Sequence, residues 1–508
     1  MRARFVGTAL AAASMLSAAG PEIATNGAAN AASGLPVSMG GAVAPGSLMH
    51  IRGVRFGGVT AVLIGSRTAR VVSSSAEAID AIVPGGLPAG QTSVVVRTAA
   101  GSSNAVSVSI RPSAPGLFAQ NDEGWGPGQV WNVGAAGQRA LNTPLNPAQP
   151  RGTIVLSATG IGRTARVAIL VAGRPAVAGV KRGSDGRDEI LIRLPAATPE
   201  GCYVPVFATA GAEISNMVTV SVRNGRGECR PEAGWPLAAW RERRLGAVVI
   251  SRTVYQNRPG GPELTSDEGT GVFADRARGP LFLPPSPGTC VTYSFAEANS
   301  AQPAETVGSL LAGMPPGSGL DAGEWLSLTE GNTQRRIRRV YGARGFYELL
   351  LGGADPFNPS RVAEPLFLGP GAMVLSSNGG ADVGALRLPL RAAPPLEWVD
   401  SERDFRVARR AGQELKWKAP EPGAVAAILV AKDYLRGGTA ACLCIADARA
   451  GGARISPAAL AHFPIGPALS MQFLIYLPQS GVAPFRARGL DQALAAAVFA
   501  RALKVEIR

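Results

Sequence analysis

The chain carries one set of short strand-like runs twice, in the same order, at a period of about a hundred residues. The first set opens at Ala44-Pro45-Gly46-Ser47-Leu48, passes Val62-Leu63-Ile64-Gly65 and Ile82-Val83-Pro84, and closes on Ser103-Asn104-Ala105-Val106-Ser107-Val108. The second opens at Arg151-Gly152-Thr153-Ile154, passes Ile169-Leu170-Val171-Ala172-Gly173 and Ile192-Arg193-Leu194-Pro195, and closes on Ser215-Asn216-Met217-Val218-Thr219-Val220. Period-two alternation, as in Ala105-Val106-Ser107-Val108-Ser109-Ile110, places one face of each run in a core. Two copies of one sandwich-sized β module follow, of a kind that binds, spaces or displays more often than it catalyses.

A length of 508 residues leaves room for roughly three to four domains. The 64 glycines and 40 prolines suit many short strands joined by tight turns. The expected fold is all-β, tandem immunoglobulin-like β-sandwich domains with little helix. Residues 1–19 read as a signal peptide: Arg2 and Arg4 precede an apolar segment from Val6 to Ala19, and Ser17-Ala18-Ala19 offers small residues for cleavage. A small-residue linker occupies 20–29. The expected units are then 30–110, 112–224, 241–393 and 394–508. After the N-terminus no run of about 18 uncharged apolar residues occurs, so no membrane span is expected once the signal is removed. Ser456-Pro457 marks the start of a short helix, and 490–503 reads equally as helix or as edge strands.

Export implies an oxidising compartment, and five cysteines there invite disulfides. Cys202 lies in a strand run and Cys229 just past the final strand of the second module, so a bridge between them would tie the tail to the sheet. Cys290, Cys442 and Cys444 leave an odd count, with Cys290 open to either partner.

The net charge is +14, carried mostly by arginine. The densest clusters are Arg241-Glu242-Arg243-Arg244 and Arg335-Arg336-Ile337-Arg338-Arg339. Without interleaved aromatics they predict an anion-friendly surface open to acidic polysaccharide, rather than a nucleic-acid site. The histidines are two, His50 and His462, with no G-x-S-x-G elbow near either, so no catalytic residue and no zinc site is expected. Gly160-Ile161-Gly162 imitates a dinucleotide fingerprint, but a strand pattern, not a helix, follows it, and no cofactor is expected. Asn121-Asp122-Glu123-Gly124 reads as a hairpin turn. Among the tryptophans, Trp125 in its glycine-rich loop is the candidate for ligand contact.

Ala32-Ser33, Val43-Ala44-Pro45-Gly46-Ser47 and the Gly53 to Gly58 segment resemble the opening of IPT/TIG-type immunoglobulin-like modules in secreted acidobacterial proteins. Ala114-Pro115-Gly116-Leu117-Phe118, Asn146-Pro147-Ala148 and Gly201-Cys202-Tyr203-Val204-Pro205-Val206 resemble the sandwich that follows in those chains. Gly288-Thr289-Cys290-Val291-Thr292-Tyr293 and Asn378-Gly379-Gly380-Ala381-Asp382 resemble the uncharacterised regions beside that pair. The resemblance implies a string of β-sandwiches outside the cytoplasm and transfers no catalytic motif. The chain is thus expected to be secreted or cell-surface and non-enzymatic, acting in adhesion, display or structural binding toward an extracellular protein or polysaccharide. The alternative is a carbohydrate-binding or carbohydrate-processing accessory protein.

Overall fold

The computed structural model describes residues 20–162, 166–229, 244–275, 284–295, 307–312, 318–355, 365–465 and 469–508. The expected signal segment 1–19, Trp235 and Trp240 lie outside the described residues. Nearly every described element is a strand; α-helix is confined, among the described residues, to Val307–Ala312 and Pro457–Leu460. The second helix starts as its sequence dictates, with Pro457 in the first turn and the Ser456 hydroxyl accepting from the Ala459 N–H at 3.2 Å.

The sequence repeat is a repeat of topology. In the first module Leu48–Val54 pairs with Ala78–Ile82, which pairs with Arg67–Ser74. That strand turns back onto Val59–Ile64, and the path continues through Gly90–Thr98 to Val106–Ile110. In the second module Thr153–Thr159, Asp188–Arg193, Arg174–Arg182, Val167–Val171, Gly201–Ala210 and Val218–Val222 follow the same path. Each module closes over its own core, around Ile51, Val62 and Val94 in the first and Leu156, Ile169 and Val206 in the second.

The repeated Ser-Asn landmark has one physical job in both copies. Ser103 Oγ accepts from the Val96 N–H and donates to the Asn104 carbonyl; Ser215 Oγ does the same with Ala208 and Asn216. The asparagine amide then clamps the module's opening strand. Asn104 bonds both backbone groups of Ile23, and Asn216 bonds both of Leu117 at 2.8 Å and the Gly124 carbonyl at 2.7 Å. Residues 20–29, expected as a linker, therefore contribute a strand, Glu22–Asn30, paired with Leu48–Val54. Their mostly small side chains did not announce it: Ile23 and Ala28 enter the core, and the ladder to Leu48–Val54 and the Asn104 clamp hold the rest.

The C-terminal half departs from expectation. One ten-stranded sheet takes strands from both sides of the boundary placed at 393/394. Thr289–Phe295 pairs with Thr439–Asp447, and Arg244–Gln256 runs parallel to Gln492–Lys504. Residues 241–393 and 394–508 are thus not separate sandwiches. The alanine-rich segment near 490–503 is a central strand, since neighbours on both sides complete its backbone ladder and outweigh its helical composition. A four-stranded sheet (Thr333–Arg338, Trp325–Glu330, Ala372–Ser377, Leu386–Arg391) packs on one part of this platform through Leu326, Leu328, Ile337, Leu375 and Leu388. Gly269 and Gly271 permit that approach: a Cβ at either would meet Ile337 Cδ1 at 2.4 Å or Leu326 Cδ1 at 2.7 Å.

Replacing Asn216 by Ala is expected to destabilise by about 3 kcal/mol, because buried backbone groups lose their partners without gaining water. The same change at the more exposed Asn104 is expected to cost about 1 kcal/mol. Urea unfolding of the two variants measures the difference; equal small losses would refute the clamp.

Candidate functional site

Strand parity divides the arginine cluster into two populations. Along Thr333–Arg338 only Ile337 is fully buried, facing the platform, and Arg335 shares its side. Arg335 stacks over Phe367, 5.6 Å from the ring centroid. Arg339, just beyond the strand, pairs with Asp321 at 3.2 Å. Arg335 is thus turned to the packed side of the sheet, and Arg339 is neutralised by the Asp321 carboxylate. Arg336 and Arg338 alternate onto the opposite face and are exposed.

That outer face is cationic along both of its edges. On the far edge strand, Leu386–Arg391, the leucines point inward and Arg387 and Arg391 point outward. Ser327 and Ser376 on the two central strands complete a single register row with Arg336 and Arg387. Trp325 lies opposite Arg338, and Arg336 covers its ring at 4.6 Å. No carboxylate alternates onto this face, and among the described residues Arg336, Arg338, Arg387 and Arg391 make no ion pair. Four guanidinium groups without an ion-pair partner on one sheet face give a positive potential that draws anions. Composition signalled the positive charge and the sequence placed Arg335–Arg339; Arg387 and Arg391, which complete the face, gave no signal before the strands were paired.

The other sequence candidates lie elsewhere. Trp125 was expected as an exposed loop aromatic; the structure buries it to 7% exposure, edge-on to Tyr293 and Phe295 at centroid distances of 5.6 and 5.5 Å. Its glycine-rich loop folds onto the C-terminal sheet, so the indole plugs a module junction and offers no face to a ligand. Trp398 and Trp417 are core residues. His50 Nδ1 lies 2.7 Å from Asp80 Oδ1, its cross-strand partner, and Ser73 donates to the other carboxylate oxygen at 2.8 Å. The histidine hydrogen bond holds the Asp80 carboxyl below the usual range. Because the carboxylate sits between serine and histidine, the trio does not line up a nucleophile with a base. Asp321 and Asp382 meet, but each is engaged by arginine, Arg339 and Arg344. In the Asn121–Gly124 loop the Asn121 side chain accepts from the Glu123 N–H at 3.0 Å, a local turn bond.

Cys202 and Cys229 are bonded, and with Tyr203 they form a small buried cluster. Cys290 is bonded to its register partner Cys444. Cys442 is the free thiol among the described residues, its sulfur 4.0 Å from that of Cys444. Burial pushes the Cys442 thiol up to about 12, so it stays protonated and unreactive. His462 Nε2 donates to the Ser215 carbonyl at 3.1 Å, joining the second module to the C-terminal half. Burial there lowers its imidazole below the ordinary value.

No family model matches the chain, and no curated protein matches it in sequence. Among solved structures it is similar to a surface glycan-binding protein of Bacteroides ovatus, SGBP-B of the mixed-linkage glucan utilization locus, in complex with a mixed-linkage heptasaccharide. The identity is 14% and the TM-score 0.22; the match covers 61% of this chain and 65% of that one. It is also similar to domains 4–9 of the surface layer protein SbsC, at 10% identity and TM-score 0.20, covering 96% of this chain and 66% of that one. A tandem of titin domains, I9–I11, matches at 8% identity and TM-score 0.13, covering 68% and 93%.

Two outcomes test these assignments. Peptide mapping without reduction is expected to return the 202–229 and 290–444 pairs, with Cys442 alkylated only after unfolding; labelling of Cys442 in the native protein would contradict its burial. A neutral, buried His462 contributes stability that is present above its ordinary value of about 6.5 and is lost as pH falls below it, since the unfolded state then takes up a proton that the folded state refuses. Denaturant unfolding at about pH 7.5 and 5.5 is expected to show a smaller acid loss for His462→Gln than for the parent protein.

Proposed function

We propose that this is a non-enzymatic, multidomain β-sandwich protein that works by adhesion or display at the cell exterior, holding an anionic partner on the outer face of its four-stranded sheet. One observation carries the reading: Arg336, Arg338, Arg387 and Arg391 share an exposed sheet face and make no ion pair among the described residues. Rigid neighbours support the use of such a face. The four-stranded sheet is backed by the ten-stranded platform, so its arginines are presented by strands rather than by loops. Two further modules precede it, joined to the C-terminal half by apolar packing of Met39, Trp125, Phe207 and Met217.

The test is retention of the full chain on isolated cell-envelope fragments. Changing all four face arginines to alanine is expected to abolish retention at physiological salt. Changing Arg52, Arg97, Arg166 and Arg226, which lie on other exposed surfaces, removes the same charge and is expected to leave most retention intact. Equal losses in the two variants would reduce the effect to net charge and refute the face.

A further inference from the structure

The arginines of this face are ordered, and the order selects among anions. Arg336 and Arg338 stand on one edge strand, Arg387 and Arg391 on the opposite edge strand. Between them the central strands present the half-buried hydroxyls of Ser376, in the row that joins Arg336 to Arg387 through the buried Ser327, and of Thr329, one row along, beside Trp325 and Val374. Adjacent strands lie about 4.8 Å apart, so the two cationic edges are roughly 14 Å apart across the two central strands. Neither the Ser376 nor the Thr329 hydroxyl has a hydrogen-bond partner among the described residues.

A polymer lying along the central strands would meet hydroxyl groups beneath it and guanidinium groups on either side. That pattern fits a chain of hydroxyl-bearing rings whose charged groups project alternately to left and right. Carboxylates are matched by the guanidinium fork, which binds them through two parallel N–H groups. We infer that the face binds a linear uronic-acid polysaccharide, its ring hydroxyls on Thr329 and Ser376 and its carboxylates on the two arginine edges. This rests on the anionic-partner reading of the same face and names the partner.

Competing occupants fit less well. Single-stranded nucleic acid binds by stacking bases on free aromatic faces. Here the ring of Trp325 is covered by Arg336, and no other aromatic residue alternates onto the face. An acidic protein partner binds tightly through a free aromatic or apolar anchor at the centre, and the aromatic ring of this face, Trp325, is already covered by Arg336. A membrane surface would call for apolar groups that enter the headgroup layer, and the exposed positions of the edge strands are mainly arginine.

The experiment is calorimetric titration of the full chain, at physiological salt, with polygalacturonate, its carboxyl-reduced neutral form, dextran sulfate, single-stranded DNA and anionic phospholipid vesicles. Polygalacturonate is expected to bind more tightly than any other probe, and the carboxyl-reduced polymer not at all. The Thr329→Ala/Ser376→Ala variant is expected to weaken polygalacturonate binding by about fivefold or more while leaving weak DNA binding unchanged. Thermal melts of both this variant and the four-arginine variant, matched to the parent, ensure that a loss reflects the face and not the fold. Equal affinity for polyuronate and DNA, or no effect of the two hydroxyl changes, would overturn the polysaccharide assignment and leave the anionic-partner reading standing. Tightest binding to dextran sulfate or to vesicles would overturn it in favour of that class. Failure of every anion to bind would overturn both readings.

Discussion

The parallel pairing of Arg244–Gln256 with Gln492–Lys504 is the constraint on which the C-terminal half depends. It joins the first described strand of that half to its last long one, so the intervening segments must return to the same sheet from both sides. Both strands are buried on both faces for most of their length, and their side chains are correspondingly small or β-branched: Ala247, Val248, Val249 and Ile250 beside Ala495, Ala496, Ala497 and Val498. Alanines in the last strand keep the layer thin, so sheets can cover it on either side. The four-stranded sheet covers one part, and the Trp398, Leu415 and Trp417 region joins the core on another.

A buried ion pair adds direction to that platform. Asp267, with no exposed surface, accepts from Arg252 Nε and Nη2 at 2.7 and 2.8 Å and from the backbone N–H groups of Phe367 and Leu368. Arg252 in turn donates to the Leu368 carbonyl. The carboxylate is fully hydrogen-bonded, the condition under which a charge is tolerated in a protein interior. These bonds pin the segment that leads into Ala372–Ser377, and so help hold the hydroxyl-bearing strand in register between the two arginine edges.

Much of the N-terminal half was legible because its signals are local. Period-two alternation, turn glycines and the serine bonds of the Ser-Asn landmarks each act within a few residues, and the two copies reinforced one another. The opening strand Glu22–Asn30 was not legible, because its pairing with Leu48–Val54 and the bonds from Asn104, about eighty residues away, are non-local. Trp125 misled for a related reason: a glycine-rich loop reads as exposed until the surface that covers it, Tyr293 and Phe295, is known. The division at 393/394 followed a proline-rich stretch, yet such a stretch breaks a strand without breaking a sheet.

For the candidate site, the sequence by itself determined that the chain is strongly cationic, that arginines concentrate at Arg335–Arg339, and that alternation would send neighbouring side chains to opposite faces. Only the tertiary structure decided which of those arginines remain available. Arg335 is turned to the packed side beside Phe367 and Arg339 is paired with Asp321, while Arg336, stacked on Trp325, and Arg338 share the exposed face with Arg387 and Arg391 from a strand some fifty residues away. The reason is physical: parity along a strand is a local property set by backbone geometry, whereas register between strands depends on non-local pairing that a linear pattern does not encode.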